Sequence, residues 1–127
     1  MCIKPSMAKP ANMTFNEYQD VSAKTAVFKE TVAPHLGQHT FIYLVLGLAG
    51  ESGEVADKIK KLYRDNGGIL DDAKKQELAK ELGDVLWYIA RLAEEWGFSL
   101  EQIAEMNVEK LQSRKTREQL HGDGDNR

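Results

Sequence analysis

Two pairs of acidic residues occupy matching places in two apolar-periodic segments of the chain. Glu51 and Glu54 lie three residues apart, and Glu81 and Asp84 repeat that spacing. Hard divalent cations such as Mg²⁺ and Mn²⁺ take carboxylate oxygens as ligands and keep other positions for water and phosphate. If the two segments pack together, the four carboxylates can share such a cation.

An ordinary charged surface explains the same acids without a ligand. Glutamates at i, i+3 on a helix commonly face solvent and pair with nearby basic side chains. Candidate partners are Lys58, Lys61, Lys80 and Arg91. The spacing alone leaves the metal site and the charged surface as equal alternatives.

The absence of histidine from both acidic segments bears on the choice of metal. His35 and His39 precede the segments, and His121 follows them near the end of the chain. The Glu-x-x-His pattern of di-iron carboxylate bundles is therefore missing, which disfavours iron and zinc.

Each acid pair lies on a predicted long helix, because apolar residues recur there at spacings of three and four. These residues are Phe41, Leu44, Leu48, Val55, Ile59 and Leu62 in the second predicted helix, and Leu78, Leu82, Val85, Ile89, Leu92 and Trp96 in the third. The sequence RDNGG ends the second helix, Asp71 or Asp72 begins the third, and Gly97 ends it.

The two stripes are in register with the two acid pairs. Aligning Val55 with Val85 superposes the two apolar stripes and also the two acid pairs. At about 100° per residue, the first acid of each pair lies roughly 60° from the centre of its apolar stripe and the second roughly 120°, on the same side. Antiparallel packing of the two helices would bring these acidic edges together.

Two further helices complete the predicted fold. A capping box at Thr14 and Glu17 opens the first helix, which we expect to run through Val32 and to end before Pro34. A second capping box opens the fourth helix, at Ser99 and Gln102, and Leu100, Ile103, Asn107 and Leu111 are expected to point inward. The sequence predicts an all-α, four-helix-bundle-like domain.

Trp87 does not fit the stripe of its helix. By the same angular count it lies nearly opposite the core residues, so a monomer would expose it. Burial against another subunit is one explanation, and a lone exposed aromatic side chain is the other.

Composition limits the classes of partner. The chain has 127 residues, about one domain, with a formal charge of -3 and charged residues at 29%. Without a basic excess, a nucleic-acid polymer is a poor candidate. A single cysteine, Cys2, fits a reducing compartment, and neither a signal peptide nor a membrane span is apparent. We expect a soluble, cytoplasmic protein with no membrane partner.

The segments around the acids resemble the MazG-like all-α nucleoside triphosphate pyrophosphohydrolases. The motifs are ESGE at 51–54 and ELGD at 81–84, within LGLAGESGEVADKIKK and KELGDVLWYIARLAEEWG, flanked by MTFNEYQ at 13 and NVEKLQSR at 107–114. On this resemblance, residues 13–117 form the MazG-like helical domain, residues 1–12 a flexible tail and residues 118–127 a polar tail.

The resemblance implies a reaction and its metal. Enzymes of this superfamily cleave a nucleoside triphosphate between the α- and β-phosphates with Mg²⁺ or Mn²⁺. Carried over by position, Glu51, Glu54, Glu81 and Asp84 are the metal-binding and catalytic residues. Related dUTPase-like and phosphoribosyl-ATP branches carry a glutamate where this chain has Gly50, which disfavours those two activities and leaves the general base unassigned.

Other residues are weaker candidates for substrate contacts. Each has a structural alternative: an ion pair, a buried hydroxyl or amide, or a solvated basic edge. The candidates are Lys58 for phosphate, Tyr88 for sugar or base, Gln19 for the base, Asn107 within the stripe of the fourth helix, and Lys110 and Arg114, which resemble phosphate-contacting basic residues of the family.

The expected function is therefore a Mg²⁺-dependent nucleoside triphosphate pyrophosphohydrolase that clears unwanted nucleotides. The resemblance also implies a homodimer or homotetramer with sites near subunit contacts. Two alternatives stay open: a non-catalytic regulatory oligomer that binds metal or nucleotide, and a structural helical oligomer whose acids are surface residues.

Overall fold

The computed structural model describes residues 11–117, and within that range it is entirely helical. Five helices follow in order: α1 (Phe15–Ala23), α2 (Phe28–Leu36), α3 (Phe41–Asn66), α4 (Asp72–Glu95) and α5 (Leu100–Thr116). The all-α prediction is confirmed. None of these helices is long and apolar enough to cross a membrane. The predicted tails lie outside the described residues, apart from residues 11 and 12.

The two longest helices, α3 and α4, form an antiparallel hairpin at the centre of the domain. Leu44 and Leu92 join α3 to α4 in the hydrophobic core at one end, and Leu62 is buried near the turn. Gly67 ends α3 in the left-handed region at φ 61, with its N–H donating to the Leu62 carbonyl. The Asp71 carboxylate then caps α4. These end signals agree with the sequence prediction and fix the two long helices as antiparallel neighbours.

The prediction of one continuous first helix was wrong. The chain breaks between Ala23 and Phe28, so the domain has five described helices instead of four, and Pro34 lies inside α2. The Thr25 hydroxyl donates to the Ser22 carbonyl at 2.8 Å, and the Thr25 N–H bonds the same carbonyl at 3.1 Å. Such local hydroxyl bonds compete with the α-helical ladder, and here they turn the chain.

A buried amide fastens α1 to the α4–α5 turn. Gln19 is 9% exposed. Its Oε1 accepts the Leu100 N–H at 2.8 Å, and its Nε2 donates to the Phe98 carbonyl at 3.1 Å and the Ala90 carbonyl at 3.4 Å. Both ends of the Gln19 amide thus bond backbone groups of α4, the α4–α5 turn and α5, and a contact of Gln19 with the nucleotide base stays a prediction.

Arg91 reinforces the same junction. It is 4% exposed, and its Nη2 donates to the Gln19 carbonyl and to the Ser22 hydroxyl. Its Nη1 pairs with Glu94 on the same helix. A charged group buried in this way is stabilised by its hydrogen bonds, so α1 cannot leave α4 without exposing unpaired polar groups.

Trp87 is packed within its own chain. Its Nε1–H donates to the Thr25 hydroxyl at 2.7 Å, and its ring meets Phe28 edge-on at 6.4 Å between centroids. The expectation of an exposed Trp87 was wrong because α2, which the sequence had joined to α1, folds over this side of α4. Trp87 consequently gives no argument for a subunit contact.

Replacing Gln19 should cost much of the domain's stability. Gln19→Leu leaves the Leu100 N–H and the Phe98 carbonyl without their partner, at about 1–3 kcal/mol for each buried unsatisfied group. Urea unfolding followed by circular dichroism measures the loss. Gln76→Leu, on the exposed side of α4, is the matched control and should change the free energy of unfolding by under about 0.5 kcal/mol. Equal effects of the two changes would contradict the structural role of Gln19.

Candidate metal centre

Three of the four predicted acids meet across the α3–α4 seam. Glu51 of α3 and Glu81 and Asp84 of α4 each offer a carboxylate oxygen, and these oxygens lie within 4.8 Å of one another. Glu51 and Glu81 are half-buried, whereas Asp84 is exposed. The register inferred from the sequence thus brings together acids from both helices.

The electrostatics of the cluster disfavour three negative charges. Burial raises the pKa of Glu51 above its ordinary value, and the charges of Asp84, Glu81 and Glu54 raise it further. Either a proton or a cation relieves this repulsion. Among residues 11–117 the donor set consists of carboxylate oxygens, which fits a hard divalent cation such as Mg²⁺ or Mn²⁺.

Glu54 lies beside the three-acid cluster and outside it. Its charge contributes to the raised pKa of Glu51, and its side chain is exposed. It lines a cavity of about 250 Å³ between the C-terminal half of α3 and the N-terminal half of α4. Basic residues line the same cavity, namely Lys58, Lys61 and Lys74. Glu54 is thus placed between the acid cluster and a region that carries ammonium groups.

Lys58 links the two helices by an ion pair. Its Nζ lies 3.3 Å from Glu81 Oε1, so its partner is on α4 and not on its own helix. Lys60 and Lys61 instead pair with Asp57 and lower the pKa of that carboxyl to about 2. Lys58 therefore brings one ammonium group to a carboxylate of the acid cluster.

Tyr88 approaches the acid cluster closely enough to respond to it. Burial raises the pKa of Tyr88, and Tyr43, Glu51 and Asp84 contribute to the rise, Tyr43 partly through a hydrogen bond. The ring lies against α3 at Gly47, where an added Cβ would fall 2.1 Å from Tyr88 Cε1. A role in binding the substrate stays a prediction for Tyr88, and its location is compatible with one.

Two aromatic residues near the cluster were missed as site candidates. Tyr18 of α1 is half-buried, and its pKa is raised by burial, with Arg91 opposing the rise and Asp84 adding to it. Tyr43 of α3 bonds Tyr88. Only the tertiary packing brings Tyr18 near the acids, so the sequence carries no local signal for it.

The candidates on α5 have different environments. Asn107 and Lys110 are exposed, whereas Arg114 is 4% exposed. The prediction that Asn107 points into the core was wrong, since α5 buries Leu100 and Arg114 among its residues. Contacts of Asn107, Lys110 and Arg114 with phosphate remain predictions.

The segment that contains the acid cluster matches a known protein family. Residues 39–117 match the family model of the MazG nucleotide pyrophosphohydrolase domain. This match covers more than half of the chain and contains all four acids. The chain belongs to the MazG family. Helices α3, α4 and α5 are the matched part of this MazG domain, whereas α1 and α2 precede it.

Two relatives support the assignment to the MazG family. The Gene 37 protein of Mycobacterium phage L5 is 40% identical over 114 residues, which cover 87% of this chain and 96% of the phage protein. The uncharacterized protein YvdC of Bacillus subtilis (strain 168) is 38% identical over 72 residues, covering 53% of this chain and 68% of the relative. No solved structure gives a significant match.

Neutralising Glu51 should have opposite effects with and without metal. The folded pKa of Glu51 lies above its unfolded value, so the ionised group destabilises the metal-free fold at neutral pH, and this penalty disappears as the pH falls through the folded pKa. Glu51→Gln should therefore raise the melting temperature in EDTA at neutral pH, with a smaller gain in acid. With excess Mg²⁺ the wild type should gain stability by linkage and the variant much less.

Thermal unfolding at several pH values, with EDTA or Mg²⁺, measures these differences. Glu105→Gln, on the exposed side of α5, is the control and should follow the wild type under every condition. A Glu51→Gln variant that is less stable than the wild type in EDTA would show that the clustered charges do not strain the fold.

Proposed function

We propose that the protein is a Mg²⁺-dependent nucleoside triphosphate pyrophosphohydrolase that clears unwanted nucleotides. It would cleave the bond between the α- and β-phosphates and release a nucleoside monophosphate and pyrophosphate. The observation that carries this proposal is the cluster of Glu51, Glu81 and Asp84 within the segment that matches the MazG domain. Mn²⁺ is an alternative metal, because the same oxygen donors suit it.

The three clustered acids are the proposed metal ligands. Glu51 reaches the site from α3, and Glu81 and Asp84 reach it from α4. A divalent cation bound there supplies positive charge to the phosphate oxygens. Lys58 now pairs with Glu81, and on metal binding its ammonium becomes available to a phosphate oxygen.

Glu54 is the proposed general base. It is the predicted acid that lies outside the three-ligand cluster, so its carboxylate keeps a lone pair for a proton. As a water oxygen bonds the α-phosphorus and the bond to the α–β bridging oxygen breaks, Glu54 accepts the proton of that water. This role also provides a base in a chain that has Gly50 where related branches carry a glutamate.

Basic residues beside Glu54 suit the leaving group. Lys58, Lys61 and Lys74 line the cavity next to the acids, where the β- and γ-phosphates would extend, and a bound phosphate would compete for them with the carboxylates of Glu81, Asp57 and Glu77. Ammonium groups stabilise the charge that develops on departing pyrophosphate. Lys110 and Arg114 of α5 are further phosphate contacts under the same proposal.

A second candidate is a regulatory module that binds metal or nucleotide without turnover. Gly50 favours it, because the additional carboxylate of related branches is missing from this chain. Metal binding alone cannot separate the two candidates, since the acid cluster serves both. Measured turnover separates them.

Product formation from a panel of standard, deoxy and modified nucleoside triphosphates tests the enzyme proposal. Pyrophosphate and monophosphate should appear together with Mg²⁺ and disappear with EDTA. Glu81→Gln and Asp84→Asn should lose both turnover and the Mg²⁺-induced gain in melting temperature. Glu54→Gln should lose about 10²–10⁴-fold in kcat, the usual contribution of a general base, and should keep the thermal response.

Glu105→Gln again serves as the control and should retain full turnover. If well-folded wild-type protein released no pyrophosphate from any nucleotide while still responding to Mg²⁺, the regulatory module would be the better description. A Glu54→Gln variant with normal kcat would remove Glu54 from the role of base.

We also propose that the protein is a homodimer or homotetramer. The support comes from the side of α3 turned away from the acids, termed here the outer face. At about 100° per residue Val45, Ile59 and Tyr63 fall within about 40° of one another, and these side chains are exposed by 41%, 36% and 68%. Leu82 of α4 is also 57% exposed. Apolar faces of this kind are commonly buried between subunits.

Charge placed on the outer face should lower the oligomeric mass. Val45→Lys combined with Leu82→Lys should shift the protein towards monomer in light scattering coupled to size-exclusion chromatography, because ammonium groups resist burial. Ile69→Lys is the control, since Ile69 is 64% exposed in the α3–α4 connection and away from the outer face. A wild type that elutes as a monomer at every concentration would contradict the proposal.

A further inference from the structure

An aromatic groove lies between α2 and the α3–α4 hairpin. It has a volume of about 260 Å³, and the described residues that line it are all uncharged. Phe28 and Tyr43 stack at 5.0 Å between ring centroids with 8° between their planes, and Trp87 meets Phe28 edge-on at 75°. Thr25 and Thr31 supply hydroxyl groups to the lining. The groove is thus a set of fixed ring surfaces with few polar groups.

The groove is next to the metal centre along the helices. Trp87 follows Asp84 by three residues and Tyr43 precedes Glu51 by eight, which correspond to about 4.5 Å and about 12 Å of helical rise. Tyr88 lies between the groove and the acid cluster. Its ring packs edge-on against Trp87 at 4.9 Å and lies over Gly47, one turn before Glu51.

A hydrogen-bond chain holds the Trp87 ring in place. The Thr25 hydroxyl accepts from Trp87 Nε1 at 2.7 Å and donates to the Ser22 carbonyl at 2.8 Å. Both hydrogen-bonding functions of Thr25 are thereby engaged within the protein. The orientation of the Trp87 indole is therefore fixed, and its ring surface is the part that can contact a ligand.

We propose that this groove receives the nucleobase of the nucleotide whose phosphates bind at the acid cluster, with Tyr43 and Trp87 supplying the ring surfaces. The proposal rests on the function proposed above. Phe28, Thr25 and Thr31 lie N-terminal to the matched MazG segment, so this assignment comes from the packing of α2 and not from the family match.

The chemistry of the groove predicts broad base selection. Every base has a π-face, so stacking on aromatic rings tolerates all of them. Strong discrimination requires buried polar groups that a wrong base leaves unpaired, whereas Thr25 and Thr31, which supply hydroxyl groups to the lining, are both exposed. We expect KM to vary by less than about 100-fold among bases.

Steady-state kinetics of Tyr43 variants tests the groove. Tyr43→Leu removes the ring and should raise KM for nucleoside triphosphates about tenfold, the scale of one lost stacking contact, with kcat changed less. Tyr43→Phe keeps the ring, and its KM should stay within about threefold of the wild type. Circular dichroism checks that both variants fold. Equal KM values for Tyr43→Leu and the wild type would overturn the proposal.

Fluorescence tests the groove independently of turnover. The chain has two tryptophans, so Trp96→Phe leaves Trp87 as the emitter. With Mg²⁺, an α,β-methylene nucleoside triphosphate, which cannot be cleaved at that bond, should quench Trp87 with saturation. Inorganic tripolyphosphate should bind without comparable quenching, because it has no base.

The outcomes separate this proposal from the enzyme proposal. Quenching by the nucleotide analogue without hydrolysis of any substrate would support the groove and overturn the enzyme function. Hydrolysis without quenching, and with unchanged KM in Tyr43→Leu, would keep the enzyme function and overturn the groove. Neither hydrolysis nor quenching would overturn both.

Discussion

The repulsion between carboxylates at the α3–α4 seam is the constraint on which the rest of the structure depends. Glu51 faces Glu81 and Asp84 because α3 and α4 pack as an antiparallel hairpin. Buried leucines at both ends of the hairpin prevent the helices from separating to relieve the charge, and Lys58 offsets only part of it. The fold therefore holds ligands close together at a cost in stability, and a bound cation would recover that cost by linkage.

The two N-terminal helices attach to this frame with different strength. Helix α1 is fastened by the buried Gln19 and Arg91, whose polar atoms bond backbone groups on both sides of the junction. Helix α2 buries Phe28 alone. Elements with few buried contacts open first, so α2 is the part of the site that a ligand would order most. The proposed base groove thus combines a rigid wall on α4 with a weakly attached wall on α2.

Local signals in the sequence predicted where most helices begin and end, whereas the roles of individual buried side chains depend on tertiary contacts. The caps at Thr14, Asp71 and Ser99 were readable because each is satisfied within three residues. The acid cluster was predictable because two helices with matching stripes repeat one spacing. The role of Gln19 was not, since its partners are 71 to 81 residues away in the chain. The side of α4 that holds Trp87 was misassigned because the sequence did not predict the break before α2, where the hydroxyl and the N–H of Thr25 both bond the Ser22 carbonyl.

Gly47 shows how the two halves of the site are connected. A glycine within a helix costs roughly 1 kcal/mol relative to alanine, so its place in α3 needs a compensating contact. The compensation is Tyr88, whose ring occupies the space that a Cβ would fill. Without that approach, Tyr88 could not lie between Glu51 and the Trp87 ring. A single missing side chain on α3 therefore allows one tyrosine on α4 to pack against Trp87 and to lie near Glu51 and Asp84, so the proposed phosphate and base sites would be adjacent.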